Sequence, residues 1–300
     1  MQAAETRRAV AAAMATASEL GLVVADADVL NNSNRLVVRL LPCDVVARVA
    51  RVSYQDTGVY SLWADYRARA EAETAIVRQL AATGSPVAAL DPRVEPRVYE
   101  RDDFAISLWA HCDVVGDEVT AKDYAGALAR LHAGLREIEV TTLHFIDRIV
   151  DTQYWVASRH ITPGVPDGDR GLLADTLESL RRSIVARRPA EQLLHGEPHQ
   201  WNLLNSTQGP LFVDFENCCR GPIEYDLAWV PEEASTRYPG VDRELLSECR
   251  GVMLAIIATH FCRDDNEHPN LRGREEYLGA VRDGPPWPAL DEILRRSQGT

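Results

Sequence analysis

His195-Gly196-Glu197-Pro198-His199-Gln200-Trp201-Asn202 and, nine residues on, Leu211-Phe212-Val213-Asp214-Phe215-Glu216 are the segments whose reading decides how this chain folds. An acid stands five residues before an amide, and a second acid ends an apolar run. Leu203-Leu204 and Leu211 to Val213 are short apolar runs flanking Asn205-Ser206-Thr207-Gln208-Gly209-Pro210, a turn-rich stretch. Runs of that length around such a turn predict two antiparallel strands. Asn202 then enters the first strand and Asp214 leaves the second, so both reach the open end of one hairpin.

Those residue types in that order suit phosphoryl transfer. Its transition state is loose, so a protein mainly positions groups and neutralises charge. One carboxylate must meet the acceptor hydroxyl and take its proton. An amide oxygen and another carboxylate must hold magnesium, a hard cation that prefers oxygen ligands. Glu197, Asn202 and Asp214 supply these groups.

The two segments, with Gly221-Pro222-Ile223-Glu224-Tyr225-Asp226-Leu227-Ala228 downstream, resemble the catalytic and metal-binding loops of the aminoglycoside phosphotransferase family, a branch of the protein-kinase-like fold. The resemblance implies an α+β chain of two lobes: a small β-rich nucleotide-binding lobe over residues 1–110 and a larger, mainly helical catalytic lobe over 111–300. It implies Glu197 as catalytic base, Asn202 and Asp214 as magnesium ligands, and His195 and Asp226 as braces of the loop. Glu216 lies where the family's metal loop is variable, which leaves it a metal-side role at most. The departure is Glu197 itself, because the familiar pattern has aspartate there. His199 fits a structural loop residue and a substrate contact equally.

Outward from the loops, residues 5 to 20 are Ala-rich with helical spacing, and Leu36 to Leu41 and Val45 to Val52 read as Val-rich strands. A helix is predicted from Tyr66 to Ala82, ending at Gly84 with Pro86 beyond. In kinase-like enzymes a strand cation grips the nucleotide phosphates and pairs with a glutamate of the next helix. Arg48 and Glu73 fall at those places, with Arg where the family has Lys; Arg keeps the charge, but its planar fork is larger. The plain alternative is an exposed strand charge paired with any acid. Asn31-Asn32-Ser33-Asn34 stands where a phosphate loop belongs, Asn34 being the cofactor-side candidate, and a plain turn fits it as well. No Gly-x-x-x-x-Gly-Lys-Ser/Thr run occurs, which removes the P-loop class. Ala105 to Ala110 reads as a strand running into a hinge; Trp109 fits either the wall of an adenine pocket or a core position. Lys122 to Leu135 reads as the first helix of the larger lobe, with His132 a structural residue on it.

The chain has 300 residues and a formal net charge of −13, which disfavours nucleic acid as a partner and suits a small cationic one. Acids recur late, at Glu232, Glu233, Asp242, Glu244, Glu248, Asp264, Asp265 and Glu267, mostly as expected of a solvated helix face. Leu245, Leu246, Met253, Ile256 and Ile257 form an apolar stripe there. No apolar run approaches the ~20 residues of a membrane span, and the N-terminal stretch lacks a secretory signal. Cysteines at 43, 112, 218, 219, 249 and 262 form no Cys-x-x-Cys pair, which points to reduced thiols and the cytoplasm.

The expectation is a small-molecule O-phosphotransferase using Mg2+ and ATP or GTP on a hydroxylated, cationic acceptor such as an aminoglycoside or other antibiotic, with no partner of nucleic acid or membrane. A kinase of choline, homoserine or a sugar is the near alternative. The changes at Glu197 and Arg48 also admit a nucleotide-binding pseudokinase. A hydrolase using Glu197 with His195 or His199 is the more distant one.

Overall fold

The computed structural model describes residues 1–33, 35–52, 66–116, 118–263 and 273–298. By internal contacts the chain forms two compact units, the first made of the described residues of 1–118 together with 204–216, the second of the described residues of 119–203 and 217–298. The division thus falls at 118 rather than the expected 110, and the hairpin segment joins the first unit. Its contacts explain why: Phe212 donates its N–H to Pro86 O at 2.8 Å, Ala88 to Phe212 O at 3.0 Å, and Val115 to Asn205 O at 2.8 Å.

In the first unit helix α1 (Ala3–Glu19) precedes strands β1 (Val24–Asn32), β2 (Leu36–Pro42) and β3 (Val45–Arg51), then helix α2 (Tyr66–Ala82) and strands β4 (Tyr99–Arg101) and β5 (Phe104–Ala110). The strands form one antiparallel sheet in the order β1-β2-β3-β5-β4. Alternation decides which side is buried against α1. Leu36, Val38 and Leu40, Val45, Ala47 and Val49, and Phe104, Ile106 and Leu108 share a core with Ala9, Ala12, Ala13 and Ala17 of α1. The small alanines let helix and sheet approach closely. Strand period two then sends Arg48 to the other face, opposite Ser107 in the register. Strand β5 is buried along six of its seven residues, so both its faces are covered.

In the second unit α3 (Ala121–Arg136) leads to β6 (Leu143–His144), α4 (Phe145–Ala157), α5 (Asp167–Arg187) and β7 (Gln192–Leu194). The hairpin strands β8 (Leu203–Ser206) and β9 (Gly209–Phe212) come next in the chain, with residues 204–216 counted in the first unit. The chain then gives β10 (Cys219–Gly221), α6 (Ile223–Leu227), α7 (Glu232–Arg237), α8 (Arg243–His260), α9 (Arg274–Asp283) and α10 (Leu290–Gln298). Strand β10 lies between β6, parallel, and β7, antiparallel. Helix α8 is the centre of this unit, with Leu245, Leu246, Val252, Met253, Leu254 and Ile256 all buried. The expected stripe is wider than its spacing suggested, while Ile257 is only partly buried. No helix among the described residues is long and apolar enough to cross a membrane.

Candidate active site

Each unit carries its own set of candidate groups. In the first, Arg48 projects from β3 and Glu73 from α2, and the two form an ion pair. Arg48 also donates Nη2 to Asp214 Oδ1 at 2.6 Å. Glu73 is fully buried and accepts from the Phe215 N–H at 3.0 Å, which ties the segment after β9 to α2. Asp214 takes a left-handed backbone, φ 70°, a conformation that aspartate tolerates better than bulkier side chains.

Sequence reasoning missed the rest of this arrangement. Arg35, buried at the start of β2, gives Nη1 to Glu73 Oε2 at 2.8 Å and pairs with Glu216. Glu216 takes Arg69 Nη2 at 2.9 Å as well. The result is an alternating chain, Arg69–Glu216–Arg35–Glu73–Arg48–Asp214, with equal numbers of cations and anions. Glu216 is therefore engaged by two guanidinium groups. Burial pushes the Glu216 carboxyl above its usual range, while Arg35 and Arg69 pull it back. Burial is likewise the largest influence on Arg48 and opposes its charge, yet Glu73 and Asp214 hold the guanidinium above its ordinary value. Only the residue types were legible here; an Arg opening a strand carries no sign that it will meet a carboxylate 38 residues away.

Trp109 is buried, donates Nε1 to Ser107 Oγ at 2.8 Å, and stands under the Arg48 guanidinium, 5.6 Å from its ring centre. It thus packs against the Arg48 cation. Asn31 and Asn32 belong to β1, paired with Val37 and Leu36, so the first half of the Asn-rich run is strand. Asn34 lies outside the described residues.

In the second unit the loop after β7 is anchored by Asp226 of α6. Its Oδ2 accepts the His195 N–H at 2.9 Å and its Oδ1 the Gly196 N–H at 2.8 Å. His132 of α3 reaches Asp226 Oδ2 at 2.9 Å through Nε2 and Tyr238 at 2.7 Å through Nδ1. Burial raises the Tyr238 phenol to about 12, with Arg136 opposing, so it remains a neutral partner. His195 is fully buried, and its Nδ1 accepts the Glu197 N–H at 3.4 Å. Gly196 has φ 92°, and a Cβ there would sit 1.9 Å from Asn217 O; only glycine admits that backbone approach.

That approach lets Asn217 donate Nδ2 to Glu197 Oε2 at 2.8 Å. Arg148 of α4 pairs with Glu197 Oε1. Neither neighbour was foreseen. Asn202 follows the loop in a short 3-10 turn and donates Nδ2 to Glu197 O at 3.0 Å, which leaves its carbonyl oxygen as the atom suited to a cation. Both implied metal ligands, Asn202 and Asp214, are thus hard oxygen donors of the kind magnesium takes. Among the described residues no group of three or more His, Cys, Asp or Glu is placed to hold a metal ion. The late acids are engaged elsewhere: Glu232 with Arg250, Glu233 with Arg237, Glu248 with Arg187 and Ser183, and Asp242 as cap of α8. Asp264, Asp265 and Glu267 lie outside the described residues.

A small antiparallel sheet bearing an arginine–glutamate pair, and a helical unit bearing an acid loop braced from below, define a kinase-like phosphotransferase fold. Residues 29–248 match the model of the phosphotransferase enzyme family, APH, and the chain belongs to that family. The fold is shared with an amicoumacin kinase solved with AMP-PNP and Ca2+, at TM-score 0.67 and 11% identity, over 95% of this chain and 97% of that one. It is shared with APH(2″)-IIIa in its GDP and kanamycin complex, at TM-score 0.60 and 16% identity, over 95% and 97%. A choline/ethanolamine kinase family protein from Mesorhizobium loti is similar at TM-score 0.51 and 17% identity, over 98% and 94%. No curated protein sequence matches the chain.

Proposed function

We propose that this protein transfers the terminal phosphoryl group of ATP or GTP to a hydroxyl of a small substrate. The observation that carries this is the Glu197 loop: an acid held at both oxygens, on a backbone fixed by Asp226, within a chain of the phosphotransferase family. Glu197 accepts the acceptor's hydroxyl proton as the new O–P bond forms. The bond from the terminal phosphorus to the bridging oxygen breaks, and the nucleoside diphosphate leaves with that electron pair. Arg48, fixed by Glu73, is the cation for the nucleotide phosphates. Asn202 and Asp214 are the residues that would hold Mg2+, which neutralises phosphate charge when bound.

Acceptors with amino groups suit the net charge of −13. Solved relatives bind kanamycin in one case and belong to a choline/ethanolamine kinase family in another, so antibiotics and small hydroxylated metabolites are the two classes to test. A cytoplasmic setting agrees with six free cysteines. The decisive experiment is a Mg2+-dependent transfer assay with ATP and GTP against aminoglycosides, other antibiotics, choline, homoserine and sugars. Glu197→Ala should lower kcat by ~10²–10⁴-fold, and Asp214→Ala should abolish Mg2+-dependent turnover. Transfer unchanged in both variants would remove the assignment, and turnover without nucleotide would favour a hydrolase.

A further inference from the structure

Glu197 stands where the family pattern has aspartate, and its side chain carries one more rotatable bond, whose freedom costs entropy when the carboxylate must hold one position. The second unit contains a device that removes that freedom. Arg148 is the fourth residue of α4, a helix whose start is fixed by a capping box: His144 Nδ1 accepts the Ile146 N–H at 3.3 Å, and Asp147 Oδ2 accepts the His144 N–H at 2.8 Å. The Arg148 guanidinium lies over the Trp229 ring, 5.1 Å from its centre. Trp229 in turn meets His199 of the loop at 6.3 Å between ring centres. From that seat Arg148 takes Glu197 Oε1, while Asn217 Nδ2 holds Oε2 at 2.8 Å.

We propose that Arg148 is a positioning residue for the base, and that the Arg148–Asn217 clamp fits the loop to glutamate instead of aspartate. This rests on Glu197 being the base. Two fixed points at the two carboxylate oxygens leave one side-chain geometry. Four lone-pair sites exist on the carboxylate, so an acceptor hydroxyl can still be met. Burial opposes the Arg148 charge, yet Glu197 holds the guanidinium above its ordinary value, as expected for a pair that persists. Burial raises the Tyr225 phenol beside it, with Arg148 pulling the other way, so Tyr225 is a neutral neighbour of the cation.

The test is steady-state kinetics on the full chain, with ATP·Mg2+ affinity by calorimetry and folding by thermal melt. Arg148→Met should lower kcat by ~100-fold, the scale of a misplaced catalytic group, with nucleotide affinity and acceptor KM little changed. Arg148→Lys should recover part of kcat. Glu197→Asp should lose activity in the native background, because the shorter acid cannot reach both partners, and should lose little more when combined with Arg148→Met. An unchanged or raised kcat in Arg148→Met, with Glu197→Ala inactive, overturns the positioning role and leaves the base intact. Full transfer by Glu197→Ala overturns the base itself. If Arg148→Met does not fold, Arg148→Lys decides: kcat lowered at constant KM supports the role, and native kcat defeats it.

Discussion

The two units hold their key acids by different physics. In the first, Asp214 ends an alternating run of three arginines and three carboxylates, with Arg35 and Glu73 buried and the others partly so. Every interior member has two opposite charges beside it, so the order of the set is enforced by electrostatics. In the second, Glu197 rests on one cation and one amide, and the backbone beneath it is fixed by two N–H donors to Asp226. The first arrangement should therefore be most sensitive to loss of a charge. The second depends on shape, down to a glycine that admits Asn217 O.

Removing the central charge should break the contrast most sharply. Glu73→Gln leaves Arg35 and Arg48 without their shared carboxylate in a buried site, and should cost about 3–5 kcal/mol of stability in chemical denaturation. A cost below 1 kcal/mol would mean the run is decorative. Asp226→Ala should cost less, about 1–3 kcal/mol for stranded buried donors, yet reduce turnover disproportionately, because the loop that carries Glu197 loses its anchor. Equal effects of both variants on turnover at matched stability would erase the distinction between charge-held and shape-held acids.

The smallest effect concerns an ion pair remote from both sets. Asp169 of α5 is held below the usual carboxylate range, first by hydrogen bonds from Arg282 of α9 at 2.7 and 2.8 Å. A carboxyl with a lowered folded-state pKa contributes stability above its unfolded value and loses it as pH falls through the folded one. Stability should therefore decline in the acid region below the ordinary carboxylate range. Asp169→Asn should flatten that decline by ~1 kcal/mol or less, since Arg282 is partly exposed; an unaltered acid slope would show that the pair contributes nothing.

Much of the fold could be read directly. The α2 helix, the two Val-rich strands and the first long helix of the second unit follow from apolar spacing and from Gly84 and Pro86 as stop signals. Strand β1 was not legible, because its pattern is mostly exposed and only pairing with β2 makes it a strand. Among the site groups, the loop residues were visible because their spacing is local. Arg35, Arg69, Arg148 and Asn217 were not, because each acts on a residue far along the chain.

The sequence by itself determined the chemical inventory: an acid, an amide and a second acid in loop spacing, with a strand cation and a helix acid before them. Local periodicity and turn chemistry are enough for that. Tertiary structure alone decided the pairing, that Glu216 belongs to arginines, and that Arg148 and Asn217 belong to Glu197. Charge partners are chosen by proximity in space, and proximity is a property of the packed chain.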